Sequence, residues 1–356
     1  MKCAVTLFVL LLLAGCSGLP GGKELGEVSI LRTIGLDAVQ TGVEITVSAG
    51  GQGEQAPLTA QGVSAAEAAR NVQKLGESHI YLGHVEQLVL GEALAAQGVG
   101  AVVDYLAREP QLGLGVDLWV ALGAAKDVLC VENQPQVSRR LDLLQTDGRT
   151  GTAGVRCTAA TLMSVLAQEG SVCIPAVTVA EGDWPALRSG GYAVVRQGKL
   201  VTWLEGESAA GYDLLMEHGT GEVCGVELQP GGTVSMELEQ VSVDVEPEFR
   251  GEELTGLAVR CRLLARVAQQ EGATDTRQLC TAGLLYEQRQ AERLAAALSL
   301  SQYWDADFAA LERRAMLACP SRKEEIARQF KQMFRSLPIR VVVDAQVERD
   351  ETGDNI

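Results

Sequence analysis

Leu13-Ala14-Gly15-Cys16 is the set of residues in this sequence with the plainest chemistry. Met1-Lys2 places one positive charge ahead of a run, Cys3 to Ala14, that is apolar apart from Thr6, and small residues precede the cysteine. Charged, apolar and small segments in that order make a secretory signal, here ending in a lipobox. The apolar run falls short of the ~20 residues that a bilayer span requires. Residues 1–15 are therefore expected to leave as a lipoprotein signal peptide, with Cys16 as the new first residue and a diacylglyceryl group on its sulfur. Two acyl chains of the palmitate type, at ~0.8 kcal/mol per buried methylene, hold a protein on a membrane stably, where one chain is marginal. The competing reading is an ordinary signal peptide with an incidental cysteine.

Elsewhere the residue types that do chemistry are scattered. Of nine cysteines, Cys3 leaves with the signal and Cys16 is lipidated, so seven remain and at least one is a free thiol or pairs with another molecule. Cys224 shares a strand face with Val226 and Leu228, and Cys261 lies in phase with Val259 and Leu263, so both read as small buried hydrophobes. His79, His84 and His218 have no metal-ligand spacing to each other or to a cysteine, and His84 reads as a hydrogen-bonded core or edge residue. No GxSxG elbow, HExxH, phosphate loop, EF-hand loop or dinucleotide glycine triplet is present. Glu237, Glu239, Asp244 and Glu246 fall on polar faces of alternating strands, which makes them solvated rather than a glycosidase pair converging in a cleft. The expectation is no catalytic set, no metal and no cofactor.

Positioning such a chain needs a substantial fold. Removal of residues 1–15 leaves 341 of 356 residues, enough for two or three domains. The formal charge of −16 argues against nucleic acid and against electrostatic docking on anionic lipid, which leaves the lipid to do the anchoring. Aromatic residues are 4% of the chain, little material for a cleft of stacked rings.

Residues 16–22 read as a Gly/Pro tether. A first α+β domain is expected over 23–131: strands Glu27 to Leu36 and Val43 to Val47, and a polar loop Gln52 to Gly62. A capping box at Ser64-Ala65-Ala66-Glu67 then opens a helix, followed by a strand His84 to Leu90, a helix Glu92 to Ala107 stopped at Arg108-Glu109-Pro110, and a buried strand Leu118 to Leu122. A middle domain over 132–219 holds a polar stretch Glu132 to Arg140 that reads as a linker or a helix start, a helix Thr158 to Gln168, a strand Val172 to Val179 and a hairpin about Gln197-Gly198. From 220 to 356 the pattern changes to long alternating strands, with a bulge expected near Glu239-Gln240. Helices follow over Gln278 to Ser299, Asp305 to Leu317 and Arg322 to Phe334, and then a last strand from Ile339 to Glu348. The class is α+β, with mixed, largely antiparallel sheets and flanking helices in three domains.

Against this background a family resemblance is visible. Lys23-Glu24-Leu25 with Ile34-Gly35-Leu36-Asp37 resembles the start of the mature region of the Ger(x)C family, the lipoprotein C subunits of spore nutrient germinant receptors. The specific match runs from Gly83-His84-Val85 through Val89-Leu90-Gly91-Glu92 and Leu94-Ala95 to Asp104-Tyr105-Leu106 and Arg108-Glu109-Pro110. Val201-Thr202-Trp203-Leu204 with Gly211, and the strand Ile339 to Val347 before Gly353, resemble later family segments. Two features depart from it: Gly-Gly-Lys stands where the family often has Trp-Asp, and Phe330 or Phe334 replaces a common tryptophan. The resemblance implies three α+β domains, a place on the outer face of the inner spore membrane, two multi-pass partner subunits (A-type and B-type), no enzyme activity and no transferable ligand residue. The alternative from another class is a solute-binding lipoprotein of an uptake transporter, whose two lobes would alternate strand and helix, unlike the successive long strands here. A cell-wall hydrolase would need a nucleophile or metal set that the sequence does not offer.

Overall fold

The computed structural model describes residues 28–49, 56–75, 79–131, 136–151, 153–168, 170–180, 186–228, 231–271 and 276–348. The expected signal peptide, Cys16, the tether 16–22 and Lys23-Glu24-Leu25 lie outside the described residues.

Strands β1 (Val28–Val39) and β2 (Gly42–Ala49) form the expected antiparallel hairpin. Strand β3 (Leu58–Gly62) extends it beside β2, where the sequence reads as loop; none of its residues is buried, so hydrophobic alternation gives no signal. Helix α1 (Ala65–Gln73) starts where expected, with the Ser64 hydroxyl accepting from the Glu67 amide at 3.3 Å. The Glu67 carboxylate accepts from Val63 N–H at 2.8 Å, one residue ahead of the Ser64 amide that a capping box uses.

Strands β4 (His79–Tyr81) and β5 (Gln87–Gly91) run parallel to β1, and β6 (Asp117–Ala121) runs parallel to β5. Every residue of β5 and β6 is buried, because these parallel strands are covered on both faces. The helix expected from Glu92 to Ala107 is two helices, α2 (Glu92–Gln97) and α3 (Gly100–Arg108). Gly98, at φ +137°, breaks it, and the freed Val99 N–H donates to Gly198 O at 2.8 Å in a later turn. The exit is as expected: Glu109, ahead of Pro110, is already extended.

Three helices follow, α4 (Ala125–Leu129), α5 (Val137–Thr146) and α6 (Ala159–Ala167). Strand β7 (Ser171–Ala180) is parallel to β6, and the hairpin of β8 (Ala186–Arg196) and β9 (Lys199–Leu204) closes the sheet. Gln197 and Gly198, at φ +49° and +78°, make its primed turn. The order is β3-β2-β1-β5-β6-β7-β8-β9, with β4 beside β1. The pairing of Val120 with Ala176 and of Ala121 with Val177 carries this sheet across Val131, so segments 23–131 and 132–219 share one sheet.

Alternate side chains of the central strands go to opposite faces. Ile34, Leu36, Leu88, Leu90, Leu118 and Val120 pack beneath α1, α2, α3 and α6, whereas Val89, Trp119 and Ala121 pack against α4 and α5.

The second sheet has the order β10-β11-β12-β13: β10 (Val223–Glu227), β11 (Thr233–Arg250), β12 (Glu253–Gln270) and β13 (Ile339–Glu348). The register of β11 on β12 shifts between Leu238 and Gln240, at the expected bulge. Val259, Cys261 and Leu263 lie in one core with residues of α8 (Thr276–Tyr303), α9 (Leu311–Ala318) and α10 (Lys323–Met333). Phe330 and Phe334 stack there with ring centroids 4.8 Å apart. The helix expected from Asp305 starts later, at Leu311, where the Asp307 carboxylate accepts from the Leu311 and Glu312 amides.

Helix α7 (Gly206–Leu215) joins the two sheets and belongs to the core of the second. A Cβ on Gly211 would lie 1.9 Å from Arg293 O, so only glycine lets α7 and α8 cross this closely. The fold is α+β with two mixed sheets.

Candidate functional site

Three of the residues that carry the family resemblance, Asp37, Gly91 and Glu92, converge at the C-terminal ends of β1, β5 and β6. Asp37, at the end of β1, accepts from the Ala125 and Lys126 amides at 2.7 and 2.8 Å and so caps the start of α4. A Cβ on Gly91 would meet the Asp37 Oδ1 at 2.0 Å; glycine there gives the carboxylate its seat. Glu92 opens α2 and accepts from the Gly123 amide at 3.1 Å, while the Glu92 amide donates to Gly123 O at 2.8 Å. On the same face of β1 as Asp37, a Cβ on Gly35 would touch Leu129 and Ala125 of α4 at 3.1 and 3.2 Å. Burial raises the Asp37 carboxyl, and the two amides oppose that shift. This interlock fastens three parallel strands to one helix, so Asp37, Gly91 and Glu92 serve to build the fold.

At the other end of those strands is an open polar cleft of about 510 Å³. Asp117 is buried and takes a two-pronged pair from Arg156, Nε to Oδ1 at 3.0 Å and Nη2 to Oδ2 at 2.5 Å. Glu86 is held by Arg32 and by the Ser138 hydroxyl at 2.8 Å. Gln87 accepts from the Trp119 indole at 2.8 Å. Asp117 and Glu86 each have a cation, and Asp142 and Arg139 also line the cleft; the one hydroxyl that donates to a carboxylate, Ser138 to Glu86, meets a group that Arg32 already holds, so the cleft presents paired polar groups suited to recognition.

A third polar cluster lies where the sheets meet. Arg293 of α8 is 93% buried by side chain and pairs with Glu207 at 2.5 Å and Glu222 at 3.0 Å. Nearby the Tyr192 hydroxyl donates to buried Asp213 and accepts from the Val155 amide at 3.0 Å. The sequence gives no sign of this cluster, because its partners are far apart along the chain.

The residues singled out from the sequence are dispersed. His84 is exposed, outside β5, with its ring edge-on to Tyr81 at 5.7 Å. Among the described residues no group of three His, Cys, Asp or Glu side chains could hold a metal ion. All seven remaining cysteines are free thiols; Cys224 and Cys261 are buried as expected, and burial pushes Cys157 and Cys261 up to about 12. Glu237, Glu239, Asp244 and Glu246 are ion-paired on the outer face of the second sheet.

Two family models cover most of the sequence: the spore germination protein N-terminal domain matches residues 21–179, and the spore germination B3/GerAC-like C-terminal domain matches 190–351. The chain belongs to the GerAC-like spore germination proteins. A relative named "Putative spore germination protein YfkR", from Bacillus subtilis (strain 168), is 26% identical over 149 residues. That match takes in 37% of this chain and 38% of the relative's own length. The crystal structure of the GerBC protein superposes with a TM-score of 0.58 at 15% identity, over 89% of this chain and 96% of that one, and so shares its fold. For this germination protein, the interlock of Asp37, Gly91 and Glu92 gives a structural reason for the motif.

Proposed function

We propose that this protein is a lipid-anchored, non-enzymatic subunit of a nutrient germinant receptor. It would sit on the outer face of the inner spore membrane, tethered through Cys16 and assembled with two multi-pass subunits. The observation that carries this reading is the pair of germination-family matches, over residues 21–179 and 190–351. The lipobox supports the anchor. Among the described residues no helix is long and apolar enough to cross a membrane, so in this reading attachment falls to the diacylglyceryl group. The polar cleft, with its Arg156–Asp117 and Arg32–Glu86 pairs, supports a recognition role.

Replacing Cys16 with alanine tests the anchor. The variant is expected to remain unprocessed or to be released, and to leave the membrane fraction. Equal retention on membranes washed at high salt would contradict it.

A further inference from the structure

On the face of the first sheet covered by α1 and α3 there is a cavity of about 420 Å³. That volume is in the range of small-molecule sites, roughly 300–1,000 Å³. Ile45 and Val47 of β2, Val72 of α1 and Ile80 of β4 give it apolar walls. Tyr105 of α3 lines it and is 6% exposed. Its hydroxyl is closed off from solvent and has no hydrogen-bond partner among the described residues. A donor left in that state costs about 1–3 kcal/mol. The buried Tyr192 hydroxyl and Trp119 indole, by contrast, both have partners. Burial, with the Glu109 charge adding to it, pushes Tyr105 up to about 12, so it remains a protonated donor.

The charge around the cavity has a sign. Arg108 stands one turn beyond Tyr105 on α3, on the same helix face. Arg70 lines the cavity from α1, and His79 lies beside it; Glu109 is the one carboxylate among the described lining residues. Arg108 pairs with exposed Asp104 at 2.8 Å, a surface contact worth little and readily exchanged. An apolar chamber, an unused phenolic donor and two guanidiniums form a receptor for a molecule with a hydrocarbon body and one anionic end.

We propose that this cavity binds a small carboxylic acid with an apolar body, its carboxylate accepting from Tyr105 Oη and facing Arg108 and Arg70. The hydrocarbon part packs on Ile45, Val47, Val72 and Ile80. This site is independent of the receptor assignment, and its failure would leave that reading intact.

Calorimetric titration of the full chain with 4-methylpentanoate, and with its neutral amide as control, tests the proposal. Saturable binding of the acid is expected, with the amide about tenfold weaker, the size of a lost charged hydrogen bond. Tyr105→Phe should weaken the acid about tenfold while leaving the unliganded melting temperature unchanged or higher, because it removes an unsatisfied hydroxyl. Arg70→Gln should weaken binding without changing that temperature. No saturable binding at about 10 mM acid, a range that covers Kd values near 1 mM, would overturn the proposal. So would equal affinity for acid and amide, wild-type affinity in Tyr105→Phe, or a lower unliganded melting temperature in that variant.

Discussion

Asp213 is held in the joint between the two sheets, bonded to the Tyr192 hydroxyl, and burial raises its carboxyl to about 7. The Glu222 charge adds to the shift and the Tyr192 bond opposes it. Asp307 is raised to about 6, again by burial first, against the two amides it caps. Both groups bind a proton more tightly folded than unfolded, where an aspartate titrates near ~3.9. Their contribution to stability is therefore complete in acid and is lost as pH rises from about 4 through about 7. Melting temperature should fall between about pH 4 and pH 7 through these groups, and Asp213→Asn should flatten much of the fall; an unchanged slope in the variant would contradict this. Gly91 makes a second prediction at this scale. A methyl there would strike the Asp37 carboxylate that caps α4, so Gly91→Ala should cost about 2–4 kcal/mol in urea unfolding, from the steric clash and from buried hydrogen bonds left unmade. A loss below about 0.5 kcal/mol, the size of a neutral surface change, would show that the interlock yields freely. The sequence displays Asp37, Gly91 and Glu92 as motif letters, but their mutual contact needs the parallel pairing of β1 with β5 before it can be seen.

Among the elements, the long hairpin of β11 and β12 was the most legible. Its apolar face alternates, its arginines oppose its carboxylates, and its bulge lies where the phase of the valines changes. Arg260 reaches Glu246 at 3.2 Å, Arg262 reaches Asp244 at 2.6 Å, and Arg266 reaches Glu237 and Glu239 at 2.6 and 3.1 Å. The first two bonds run diagonally, since Arg260 lies opposite Asp244 and Arg262 opposite Ser242. Exposed pairs of this kind contribute ~0.2–1 kcal/mol each. Changing Arg260 and Arg262 together to glutamate should then cost about 1–2 kcal/mol and leave the fold intact. Charge at Val259 or Leu263, both in the core, should prevent folding, because unpaired buried charge is far more costly. Greater damage from the arginine reversals would mean that the faces are inverted. The comparison requires the whole chain. A fragment cut at Gly221 would lose α7, whose Ala209, Tyr212, Leu214 and Leu215 are in the second core. Helix α7 was illegible for that reason: it is buried nearly all round and has no amphipathic period to read. The edge strand β3 and the short helix α4 were missed for lack of pattern, and the break at Gly98 for lack of its partner turn.

The described residues form two sheets joined by one buried helix, with β1 inside the larger sheet between β2 and β5. The expected boundary at Val131 followed a polar, proline-containing stretch, and hydrophobic patterning cannot report that β6 and β7 pair across it. Class and family were legible; the joining of the first two segments was not. If the protein is the receptor subunit proposed above, its absence should be felt only where a nutrient starts germination. The most direct measurement is the germination of spores lacking the gene. Nutrient-triggered germination should be slowed, while the response to exogenous dipicolinate should remain largely intact. Unchanged nutrient germination, or instead the loss of uptake of one solute by growing cells, would contradict the receptor account.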